Sequence, residues 1–139
     1  MKTKLIAILP AALLIAGCSG THDKGPYLPQ VSKTPAYEST EPVVLLDPGV
    51  QYSVTTTGQP LARQLDDGRL EVTAQLRNRE NRRIELQVNC VFKDVNGVST
   101  GDESPFQTLI LTENATEQVK FTSMNNKAAR YTIRVRQAR

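Results

Sequence analysis

The residues best placed for chemistry stand near the start of the chain, where Leu14-Ile15-Ala16-Gly17 leads into Cys18. Lys2 and Lys4 open a basic segment, an apolar run follows from Leu5 to Ala16, and two small residues precede the cysteine. Basic start, apolar run, small residues and cysteine in that order spell a bacterial lipoprotein signal peptide. A run of about a dozen apolar residues is too short to cross roughly 30 Å of hydrocarbon as a permanent helix. Cys18 is therefore expected to become the first residue after cleavage, with lipid on its sulfur and its amino group. Each buried methylene contributes about 0.8 kcal/mol and two or more chains anchor stably, so a triacylated Cys18 should not dissociate from the membrane. The next residue is Ser19 and not the aspartate that retains such proteins in the inner membrane of enterobacteria. In a Gram-negative cell this favours the outer membrane.

Other reactive side chains are few. The single histidine, His22, falls just after Cys18, so no Ser-His-Asp or Cys-His pair and no histidine zinc site can be built further along. With the Cys18 sulfur in a thioether, Cys90 has no intramolecular partner, and its place in an apolar alternation predicts a small buried side chain. The acidic pairs Asp66-Asp67 and Asp102-Glu103 are adjacent residues that point apart in turns, a poor arrangement for acid and base catalysis. Asp94-Val95-Asn96-Gly97 shares the opening of a calcium loop, but its glycine is misplaced and no glutamate follows at the required spacing. Asn114-Ala115-Thr116 has the N-glycosylation pattern and is read as a turn. No metal and no cofactor is expected beyond the covalent lipid.

Two basic clusters are the remaining candidates. Arg77, Arg79, Arg82 and Arg83 surround one expected hairpin tip, and Arg130, Arg134, Arg136 and Arg139 gather at the C-terminus. They are either solvated faces, with charge on an edge strand blocking aggregation, or an anion-facing surface for lipid head groups, lipopolysaccharide phosphates or an acidic protein.

The elements that must position these groups follow from composition and periodicity. The chain has 139 residues with 17 basic and 14 acidic side chains, and losing Lys2 and Lys4 with residues 1–17 leaves 15 against 14. Such near-neutrality argues against a nucleic-acid partner. Residues 18–41 are polar and rich in Pro and Gly, with Pro26, Pro29, Pro35 and Pro42 in or beside them, and read as a flexible tether. As a coil it would average roughly 25–30 Å end to end.

Residues 42–139 change to short apolar segments broken by turns. Val43 to Leu46, Val50 to Thr57 and Leu61 to Leu65 read as strands around Asp47-Pro48-Gly49 and Gly58-Gln59-Pro60. Leu70, Val72, Ala74 and Leu76 alternate with polar residues, as do Ile84, Leu86, Val88, Cys90 and Phe92, and the two segments are expected to pair as a hairpin. Val91 alone breaks the polar side of the second, as in a central strand or one with its outer face partly covered. Asn96-Gly97 signals a tight turn, 98–105 reads as a loop, and strands follow at Phe106 to Thr112, Gln118 to Thr122 and Arg130 to Arg136. The only helical signal is a single turn within Met124 to Ala129. About seven short strands predict an all-β fold, an immunoglobulin-like β-sandwich, with a small barrel as the alternative.

Asp67-Gly68-Arg69-Leu70-Glu71-Val72, Leu76-Arg77-Asn78-Arg79, Val91-Phe92-Lys93-Asp94-Val95-Asn96-Gly97, and Leu109-Ile110-Leu111 with Glu113-Asn114-Ala115-Thr116 together resemble the YcfL-type periplasmic lipoproteins. The resemblance runs from about Leu45 onward and departs where the family's aromatic is replaced by Asn89-Cys90. It implies a lipid-anchored immunoglobulin-like domain whose genes often neighbour those of a lipoprotein activator of peptidoglycan synthesis. It carries over no catalytic or binding residue. The expectation is a non-enzymatic lipoprotein on the periplasmic face of the outer membrane that presents its sandwich to an envelope protein, with a cell-wall connection. The alternative is an anionic-glycan module, for peptidoglycan or lipopolysaccharide, that uses the arginines.

Overall fold

Side chains two residues apart share one face of a strand, and in the computed structural model, which describes residues 41–138, that rule sorts a core from a surface. The elements in chain order are β1 (Val43–Leu45), α1 (Pro48–Ser53), β2 (Val54–Thr56), β3 (Leu61–Gln64) and β4 (Leu70–Asn78). After them come β5 (Ile84–Lys93), β6 (Ser99–Glu103), β7 (Gln107–Leu111), β8 (Thr116–Thr122) and β9 (Arg130–Gln137). One sheet holds β1, β9, β5 and β6 in that order, with β7 also on β5; the other holds β2, β4 and β3, with β8 also on β4.

The fold is an all-β sandwich, as expected, though its strands number nine rather than about seven. Two ribbons are each broken into two strands. β6 and β7 lie end to end along one edge of β5, and β2 and β3 do the same along β4. The first break falls at Ser104, which still pairs with β5 through its backbone N–H to the Cys90 carbonyl at 2.9 Å.

Between the sheets, Leu70, Val72, Ala74 and Leu76 of β4 face Leu86, Val88, Cys90 and Phe92 of β5, joined by Val43, Val54, Leu111, Phe121, Ile133 and Val135. Phe92 and Leu76 are among the largest side chains that solvent does not reach. Burying a side chain of that size contributes about 1.5–3 kcal/mol.

Four local expectations are corrected. β4 and β5 do not pair as a hairpin; they lie in opposite sheets, because the chain crosses from one layer to the other over residues 79–83. Asn78 secures that crossing: its buried amide donates to the carbonyls of Arg82 at 2.6 Å and Thr112 at 2.9 Å, and its Oδ1 accepts the Glu80 N–H at 2.9 Å. Val50 to Thr57 is not one strand, since Pro48 starts a single helical turn, closed by Gln51 N–H to Asp47 carbonyl at 3.1 Å, that buries Val50. The expected loop at 98–105 contains β6, and residues 124–129 form turns without a helix. No described helix is long and apolar enough to cross a membrane.

Candidate functional site

The two arginine clusters are treated very differently by the fold. Arg77 lies on the outer face of β4, whereas Arg79 is 7% exposed and so does not belong to the anion-facing surface expected of it. Arg82 and Arg83 are exposed in the 79–83 crossing, but Arg82 pairs with Glu80 and Arg83 with Glu85 at 2.9 Å. That cluster is dispersed and locally neutralised. Cys18, the expected tether as far as residue 40 and Arg139 lie outside the described residues.

The C-terminal cluster converges. Antiparallel pairing puts Arg136 opposite Gln87, Arg134 opposite Asn89, Thr132 opposite Val91 and Arg130 opposite Lys93. All of these alternate positions share the outer face of the five-stranded sheet, because Ile133 and Val135 between them point into the core. Four cations therefore line one face: Lys93, Arg130, Arg134 and Arg136.

Two features organise that face. The first is Asn89, fully buried on the polar side of the most central strand. Its Oδ1 accepts Arg134 Nε at 3.0 Å, and its Nδ2 donates to Glu103 Oε1 at 2.7 Å and to the Ser104 carbonyl at 3.3 Å. Glu103 completes the triangle by pairing with Arg134. The second is Phe106, which follows the break at Ser104-Pro105. Its ring centroid lies 3.7 Å from Arg136 Cζ and 5.6 Å from Arg134 Cζ, so both guanidiniums interact with one aromatic ring. Arg136 Nε also donates to Gln87 Oε1 at 2.9 Å. Lys93 Nζ donates to Thr132 Oγ1 at 2.8 Å.

Crowding leaves its mark on proton affinity. Burial and the neighbouring Arg136 pull the Arg134 pKa down, and burial with Arg134 does the same for Lys93. Cations that disfavour their own charge are poised to gain from an incoming anion. Glu103 and Glu85 are the carboxylates on the alternate face positions of β5 and β6, and each is already bound to an arginine. Arg130 and Arg136 make no ion pair among the described residues.

Among the described residues, Cys90 and Asp94 have structural surroundings. Cys90 is buried as expected, with its thiol pushed up to about 12 chiefly by desolvation and secondarily by Asp102. It is no nucleophile at neutral pH. Among the described residues, no three His, Cys, Asp or Glu side chains gather where they could hold a metal ion. Asp94 instead makes a turn, its Oδ1 accepting the N–H groups of Asn96 at 2.8 Å and Val98 at 2.9 Å.

Sequence reasoning found the arginines of β9 but missed their partners. Lys93, Asn89, Glu103 and Phe106 lie far from them in the chain, and only strand register brings them together. The one available signal was Val91, whose apolar position on the polar side of β5 fits a central strand or a partly covered outer face.

A sequence model of a protein family matches residues 45–137, which spans nearly all of the sandwich. The chain belongs to the DUF1425 family. The family is described as one of unknown function. A crystal structure of a DUF1425 family member from Shewanella sp. pv-4 is similar, with a TM-score of 0.55 and 24% identity over 68% of this chain and 87% of that one. The crystal structure of Campylobacter jejuni cj0090 superposes with a TM-score of 0.56 and 16% identity over 70% of this chain and 98% of its own. At these identities both likenesses speak for the fold alone. No curated protein matches the DUF1425 chain.

Proposed function

We propose that this protein is a non-enzymatic bacterial envelope lipoprotein, anchored through Cys18 in the outer membrane and facing the periplasm, that holds an acidic protein partner on its five-stranded sheet. Within the DUF1425 family it is read as a YcfL-type member, with the link to cell-wall synthesis which that resemblance implies. The observation that carries the binding role is the gathering of Lys93, Arg130, Arg134 and Arg136 on one sheet face, with Phe106 against the last two. The anchor rests on the order of residues around Cys18. The non-enzymatic reading is supported by a chain whose single histidine is His22 and whose Cys90 thiol is held protonated in the core.

A second reading has its own support. The guanidinium of Arg136 lies over the Phe106 ring, and its Nη groups make no hydrogen bond among the described residues. Such an open fork suits a carboxylate or phosphate of an anionic glycan. Crosslinking in intact cells followed by purification of the anchored protein separates the two. The first reading expects a reproducible protein adduct lost in Arg136→Glu; the second expects salt-sensitive sedimentation with purified sacculi, also lost in that variant. An Arg136→Glu protein that behaves as the parent in both assays overturns the assignment of this face. Fatty-acid labelling tests the anchor separately, and a Cys18→Ala protein that still takes up label would show the lipid to be elsewhere.

A further inference from the structure

The opposite sheet carries a second surface of quite different chemistry. Along the edge of β4 the ribbon is interrupted: Thr56 pairs with Leu76, the chain then swings outward through residues 57–60, and Leu61 resumes opposite Thr73. The detour is anchored at both ends. Thr57 N–H donates to the Gln75 carbonyl at 3.3 Å, its hydroxyl meets Gln75 Oε1 at 2.7 Å, and the Pro60 carbonyl accepts the Tyr131 hydroxyl at 3.4 Å. Beneath it lies a recess of about 240 Å³ whose side-chain walls are Thr57, Gln59, Leu61, Thr73, Gln75 and Gln118.

No charged side chain lines this recess, although 22% of the chain is charged. On the same sheet face Glu71 pairs with Arg63 at 2.7 Å and with Lys120 at 3.5 Å, and Arg77 stands two residues beyond Gln75 on β4. The lining is instead amide and hydroxyl. Gln75 stands directly across from Gln118, and strands so paired hold facing side chains about 5 Å apart. The side chains of Gln59, Gln118 and Thr73 make no hydrogen bond among the described residues. Each carboxamide offers two donors and an acceptor, and a threonine hydroxyl offers both kinds. Beside them Leu61 is 67% exposed and adds an apolar contact.

A ligand that matches this lining carries no charge, presents donors and acceptors in alternation, and has a small apolar group. A sugar ring supplies the hydroxyls, an acetamido group supplies an N–H and C=O for a carboxamide, and its methyl can rest on Leu61. We propose that this recess binds an N-acetylated sugar unit of a glycan chain through uncharged contacts. The site lies in the other sheet from the cationic face and stands or falls independently of it.

The test titrates the full chain in detergent micelles with a tetramer of N-acetylglucosamine, and with a glucose tetramer of the same linkage, using calorimetry. The N-acetylated tetramer should bind saturably, with an affinity unchanged by added salt and unchanged in Arg136→Glu. Gln118→Ala, an exposed position outside the core, should weaken it about tenfold, and Gln59→Ala should weaken it in the same direction. The absence of saturable binding overturns the proposal, and so does equal affinity for the glucose tetramer. Undiminished binding by both glutamine variants overturns it as well. Loss of binding in Arg136→Glu, or by salt alone, would move the sugar to the cationic face and sink this site while leaving the other.

Discussion

Asn89→Ala should be among the most damaging polar substitutions in this sandwich. The amide is fully buried and serves three partners at once: Arg134 Nε at 3.0 Å, Glu103 Oε1 at 2.7 Å and the Ser104 carbonyl at 3.3 Å. Two of these involve a charged group, for which loss costs about 1.5–3 kcal/mol each, and the third is a long neutral bond near the bottom of the 0.5–1.5 kcal/mol range. The sum is an upper bound, because Glu103 and Arg134 still hold each other and Glu103 is about half exposed to water. A net loss of about 2–4 kcal/mol is expected, a large share of the roughly 5–15 kcal/mol that holds a domain folded. For a domain of this size that corresponds to a melting point lower by roughly 10–25 °C. Urea unfolding followed by far-ultraviolet circular dichroism measures it, with an unchanged dependence on urea showing that the native fold is kept. Asn81→Ala, which removes an exposed bond to Asn114, is the control and should cost under about 0.5 kcal/mol. If Asn89→Ala were as mild as that control, the buried network would not be what orders the cationic face.

Further expectations follow from single positions. Gly68→Ala should destabilise more than Gly97→Ala, because both have φ above +80° but a β-carbon at Gly68 would lie 3.0 Å from Asn126 Cβ while one at Gly97 meets only Arg130 Nη1 at 3.7 Å. The left-handed backbone alone costs about 1–2 kcal/mol in each, and thermal melts of the pair should show the extra loss at Gly68. Cys90 has a folded pKa of about 12 against 9.0 for a free thiol, so the native state keeps a proton that the unfolded chain gives up. Stability should be intact below pH 9 and fall between pH 9 and 12, by up to about 1.4 kcal/mol per pH unit, and Cys90→Val should flatten that limb of the pH profile. Leu76→Ala opens a cavity in the middle of the core and should cost about 2–5 kcal/mol by urea titration.

How far the sequence revealed the molecule depends on what kind of information each feature needs. Alternation told which side of β4 and β5 is buried, since that is a local property of spacing. It could not tell which strands are neighbours, and the crossing at 79–83 turns on Asn78 reaching carbonyls on two other segments. β6 has no apolar alternation in Ser-Thr-Gly-Asp-Glu, so its strand conformation comes from lying along β5 and not from its own residues. The turn of helix at α1 was hidden because Val50, Tyr52 and Val54 favour extended backbone locally, while Asp47-Pro48 and the burial of Val50 decide otherwise. At the cationic face the arginines of β9 could be read from their spacing, but Phe106 and Asn89 join them only through tertiary contact.

The most direct test of the account is a photocrosslinking amino acid placed in living cells at Thr108, on the same outer sheet face as Gln87 and Arg136, and for comparison at Lys120 on the opposite sheet. A face that holds an acidic protein partner predicts a discrete protein adduct from position 108, absent from position 120 and lost when Arg136→Glu is added. An adduct that survives Arg136→Glu, or none from position 108, would contradict it.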